Sequence, residues 1–64
     1  MKEYYVSAMC MSGRGEYRAE EYIKAKNEDD AVNQFVDWHW TTWGNITVML
    51  KETFLEKMKE QKQK

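Results

Sequence analysis

Sixty-four residues carrying ten basic and eleven acidic side chains, a net charge of -1 and one cysteine make a single small domain, which buries only about 60% of the surface its unfolded chain exposes. Cys10 alone excludes an intrachain disulfide, and with the lone His39 it cannot complete a zinc site, while the near balance of charge removes the general attraction on which non-specific nucleic-acid binders depend. No signal-peptide pattern follows Met1 and no apolar run approaches a membrane span, so the expectation is a cytoplasmic protein without cofactor, metal or membrane, stabilised by oligomerisation or by packing of its three Trp, four Tyr and two Phe.

Lys2 to Ser12 is rich in β-branched, aromatic and thioether residues. Alternation places Tyr4, Val6, Ala8 and Cys10 on one face and Tyr5, Ser7, Met9 and Met11 on the other. Both faces are mostly apolar, which suits a central strand covered on each side. Ser12-Gly13-Arg14-Gly15 predicts a reversal, its two glycines free to take the positive φ of a hairpin loop. Glu16 to Lys26 returns as an outer strand. Tyr17, Ala19, Glu21, Ile23 and Ala25 share its inner face, and the charged residues on its other face discourage edge pairing.

Asn27 is an N-cap, and Glu28, Asp29 and Asp30 put negative charge on the positive end of a helix macrodipole. The helical period predicts one element from there to Gly44, which suits the left-handed position beyond a helix end. Its apolar side, with Trp38, Ala31, Thr42, Phe35, His39, Val32, Trp43, Val36 and Trp40, fills an arc of about 200°, twice what a surface helix needs. A wide arc must be covered by an enveloping fold or by a partner. Ile46, Val48 and Leu50 then alternate inward as a third strand, and Thr53 with Glu56 resembles a capping box ahead of Phe54, Leu55 and Met58. Residues 57–64 read as a polar, fraying tail beyond a compact domain of residues 1–56.

The order strand, strand, helix, strand, short helix predicts an α+β fold. Its three-stranded antiparallel sheet has spatial order 2-1-3 and the main helix on one face. The second sheet face, with Tyr5, Met9, Met11 and Tyr22, needs its own cover, from the C-terminal helix or from a second copy of the chain. These four residues form the expected self-association face of a homodimer, since methionines adapt to irregular apolar surfaces.

The segment Glu21-Tyr22-Ile23-Lys24-Ala25-Lys26-Asn27-Glu28-Asp29-Asp30-Ala31 resembles small phage and mobile-element proteins of the DpnD/PcfM kind. They share a strand ending in alanine two residues before a capped, acidic helix start. The pattern is also similar to a small archaeal ribosomal protein, from which this chain departs by lacking a basic segment after the helix. The resemblance covers about a third of the chain, implies a β-β-α-β unit and transfers no functional residue. In size and aromatic content the chain further resembles phage-encoded inhibitors that bind host defence or nucleic-acid enzymes.

Trp38 and Trp40 diverge by about 160° around a helix, with Trp43 between them, so at least one must reach the rim of the core. Trp40, Trp43 and His39 are therefore the candidate partner-binding residues, with Trp40 leading, because exposed tryptophans are enriched at binding hot spots. His39 has a plainer reading as a paired, half-buried imidazole. No catalytic residue is assigned: a Cys10–His39 pair has neither an orienting acid nor an oxyanion device. Gly13-Arg14-Gly15 is followed by a strand, whereas Gly-rich phosphate motifs require a helix. The function this predicts is a non-enzymatic module that binds and blocks a host protein. The alternative is a nucleic-acid accessory protein stacking bases on Tyr5 and Tyr22.

Overall fold

The computed structural model describes residues 1–62. Its elements are β1 (Lys2–Ser12), β2 (Gly15–Ala25), α1 (Glu28–Trp38), β3 (Thr42–Leu50) and α2 (Lys51–Lys62). The strands form one antiparallel sheet in the order β2-β1-β3. β1 is central, as its two apolar faces require. Tyr4, Val6, Ala8 and Cys10 are buried beneath α1, together with Ala19, Ile23 and Ala25 of β2 and Ala31 and Phe35 of α1. Four alanines in this cluster let α1 lie close to the sheet, and Phe35 fills the space that remains. Tyr5 and Ser7 are buried on the opposite face.

The hairpin uses its glycines unequally. Gly15 sits at φ 121°, which only glycine adopts readily, whereas Gly13 is not at positive φ. Ser12 Oγ accepts the Arg14 N–H at 3.2 Å and donates to the Gly15 carbonyl at 3.0 Å, closing the turn locally. α1 begins where expected. The Asn27 side chain accepts the Asp30 N–H at 2.8 Å, and the Asp30 carboxylate accepts the Lys26 N–H at 3.1 Å.

α1 ends five residues earlier than its apolar period predicts. His39 caps it, donating its N–H to the Phe35 carbonyl at 2.7 Å, and the chain turns so that the Thr42 N–H bonds the His39 carbonyl at 2.9 Å. Thr42, Trp43 and Gly44 are therefore strand, not helix. The physical reason lies in β1, whose last residues need a partner: Met11 N–H donates to the Thr41 carbonyl at 3.2 Å, a bond that a longer helix would forfeit. Aromatic and β-branched residues favour that pleated alternative. Gly44 does not take the left-handed conformation; Asn45 does, at φ 54°. It lies where the β1–β3 register shifts between Ser7 and Met9, a β-bulge. Below the bulge Val48 and Leu50 pack against the core as expected, but Ile46 beside it is 42% exposed.

α2 starts directly after β3, so Thr53 lies inside its first turn and does not form the expected capping box. Its helical conformation continues past residue 57 to Lys62. The last two residues of the expected tail lie outside the described residues. Phe54 stacks on Tyr5, with ring centroids 3.7 Å apart and planes 9° from parallel, so α2 supplies the cover for that part of the second sheet face.

Candidate functional site

The end of α1, the turn after it and the start of β3 gather the three tryptophans at the surface. Trp38 is 65% exposed, Trp40 83% and Trp43 54%. None of them contributes to the core, so the heavy aromatic packing expected from the composition comes instead from Tyr4 and Phe35 on one face and from Tyr5 and Phe54 on the other. The early end of α1 is the cause. Only Ala31 and Phe35 of the predicted apolar arc are fully buried, and residues meant for its far turns leave the helix before they can face the sheet.

His39 fixes this aromatic end in place. Its Nε2 lies 3.0 Å from Glu21 Oε2, in a pair that is mostly shielded from solvent. Its ring lies 4.7 Å from that of Phe35 and stacks on Trp38 at 5.7 Å. Its carbonyl accepts Thr42 Oγ1 at 2.6 Å, and Thr42 Oγ1 in turn lies 3.4 Å from Cys10 Sγ. A chain of contacts from β2 through His39 to β1 thus holds the turn while Trp38 and Trp40 project from it. The plainer reading of His39, an imidazole with a defined partner, describes its position.

Cys10 is fully buried and its sulfur faces Thr42, while the His39 nitrogen is engaged with Glu21. The arrangement offers no thiol–imidazole pair for nucleophilic chemistry. Among the described residues no group of three or more His, Cys, Asp or Glu side chains could hold a metal ion, and no helix is long and apolar enough to cross a membrane.

The four residues expected to drive self-association do not form one free surface, because α2 covers part of their face. Tyr5 is 4% exposed beneath Phe54 and is therefore unavailable as a free surface. Tyr22, 48% exposed, stands edge-on to Phe54 at 6.2 Å and carries Lys51 Nζ over its ring at 4.9 Å. Met9 is half-buried and Met11 46% exposed, beyond the reach of the Tyr5–Phe54 stack. Between the two halves, Arg18 donates to the buried Ser7 hydroxyl at 3.3 Å and pairs with Glu20 at 3.6 Å. Sequence reasoning omitted Trp38 and Tyr17 from the exposed aromatics. Tyr17, 43% exposed, occupies the hairpin end of the outer strand. A signal for Trp38 was present, since it marks the edge of the 200° arc opposite Trp40.

No family model, no curated protein and no solved structure matches this chain.

Proposed function

We propose that this protein is a non-enzymatic interaction module that docks a protein partner through the tryptophan rim, with Trp40 and Trp38 as anchors, Trp43 beside them and His39 holding the turn. The observation that supports it is the exposure of all three tryptophans, from 54% to 83%, at and on either side of a turn that Glu21 of β2 and Thr42 of β3 hold through His39. Large exposed apolar groups cost little only when a partner covers them, and a rigid turn presents them with little ordering entropy left to lose. Binding would act by steric occupation. The resemblance to phage-encoded inhibitors suggests a host defence or nucleic-acid-processing protein as the target, in a reducing cytoplasm where the buried thiol of Cys10 stays free. The competing nucleic-acid reading is less well supported, because Tyr5 is already stacked on Phe54 and a base would have to displace α2.

The test is a photo-cross-linking side chain placed at Trp40, and separately at the exposed Lys57 as a control, followed by affinity measurement on whatever the rim captures selectively. Trp40→Ala should weaken that complex by about 2 kcal/mol, roughly thirtyfold, with the fold intact. An unchanged affinity in the folded variant would remove Trp40 from the site.

A further inference from the structure

The two edges of the sheet are built differently. β2 carries Glu16, Arg18, Glu20, Glu21 and Lys24 along its length, whereas β3 (Thr42–Leu50) contains no charged residue and no proline. Charges and lysines are how an edge strand avoids pairing, so only the β2 edge is protected. The core is uneven in the same sense. Inward residues on β2 are closed over, with Ala19 and Ile23 at 5% and Ala25 at 0% exposure, whereas on β3 Ile46 is 42% exposed and Val48 and Leu50 are only partly buried. α1 leans toward β2: Gln34 donates to the Lys24 carbonyl at 3.1 Å, Asp30 accepts from Lys26, and His39 meets Glu21. Val32 and Val36 lie on the opposite flank of the helix, and Val36 is exposed.

The backbone of this open edge is available for pairing. Met11 directs its N–H toward β3, and β1 keeps a single register against β2 from Lys2 to Ser12, so Tyr5 and Ser7 direct theirs the same way. Their partners Met49 and Thr47 then form the hydrogen-bonded pairs of the β1–β3 ladder, and the N–H groups of Val48 and Leu50 point outward from the sheet.

We propose that this edge is the interface of a homodimer, in which β3 pairs antiparallel with β3 of a second copy about a two-fold axis normal to the sheet at Val48. The strand from Ile46 to Leu50, regular beyond the Asn45 bulge, sets Val48 against its own copy and Ile46 against Leu50 of the other. No charge is desolvated in doing so. The axis keeps both α1 helices on one face, so each copy supplies the apolar layer that the other lacks, which a lone peptide strand would not. The pairing is also self-limiting. Once β3 meets β3, the only edges left are the charged β2 strands, and a closed dimer forms in place of a fibre. This places self-association at β3, apart from Tyr5, Met9, Met11 and Tyr22, and does not depend on the tryptophan rim.

Sedimentation equilibrium across a dilution series, with amide hydrogen exchange at each concentration, tests it. The intact chain should be a dimer at high concentration, and the Val48 and Leu50 amides should gain roughly tenfold or greater protection as it forms. Ile46→Lys should raise the dimer dissociation constant by roughly a hundredfold or more, since it would bury an unpaired charge, whereas Met11→Lys on the other face should leave it unchanged. A chain prepared by synthesis with N-methylated Val48 should likewise be a folded monomer. Three results would overturn the proposal: a monomer throughout the series, which would leave the edge to a strand from a different protein; a dimer whose Val48 and Leu50 amides stay unprotected; or a dimer broken by Met11→Lys and untouched by Ile46→Lys.

Discussion

Asn45 takes a conformation that most residues avoid. At φ 54° it occupies the left-handed region within a strand, where its short polar side chain is tolerated and a β-branched one is not. Asn45→Val should therefore cost about 1–2 kcal/mol in urea unfolding, while Asn45→Gly should stay within about 0.5 kcal/mol of the parent, because glycine meets the same geometry without strain. Equal losses for both would mean that the Asn45 side chain, not its backbone, matters. Space does not restrict its neighbour Gly44, where an added Cβ would meet nothing within 4 Å. The sequence pointed to the wrong member of this pair. Glycine is the commoner left-handed residue after a helix, but here the helix had already ended, and the bulge needed its left-handed residue one position later.

Elements are legible where local chemistry and tertiary demand agree. β1, β2 and the start of α1 follow from alternation, two glycines and an asparagine cap, and the strand order follows from the doubly apolar β1. The end of α1 was not legible, because Trp38 to Trp43 continue the helical period with neither glycine nor proline to stop it. Its end is set by an unpaired stretch of β1 some thirty residues away, which no local window contains. The tryptophan rim was foreseen in part, through Trp40 and Trp43, but only as the edge of a helix. α2 docks through Phe54, which stacks on Tyr5 and meets Tyr22 edge-on, with Lys51 over the Tyr22 ring at its start. Phe54→Ala should remove the stack on Tyr5 and cost about 2 kcal/mol in urea unfolding, with Tyr5 becoming accessible to quenchers. No loss of stability would show that α2 is not held by that stack.

Taken whole, the molecule keeps its tryptophans outside and builds its core from Phe35 and Tyr4 among alanines and other smaller side chains, an inversion of what its three tryptophans suggest. Their emission should therefore move little on unfolding, while near-ultraviolet circular dichroism from the stacked Tyr5 and Phe54 is lost; a strongly blue-shifted native emission would contradict that exposure. The slab is thin, with extents of 37 × 31 × 13 Å, so little lies far from a surface. Its central strand also governs when the fold can close. β1 is the first strand in the chain, and it pairs along one side with its neighbour β2 and along the other with β3, the last strand. Emerging from the ribosome, the β1–β2 hairpin carries the two apolar faces of β1 with one side of that strand unpaired, and it must wait for Leu50 before the sheet is complete. Commitment to the native state therefore requires the whole span from β1 to Leu50, and the interval before β3 emerges is when the nascent chain most needs protection from its neighbours.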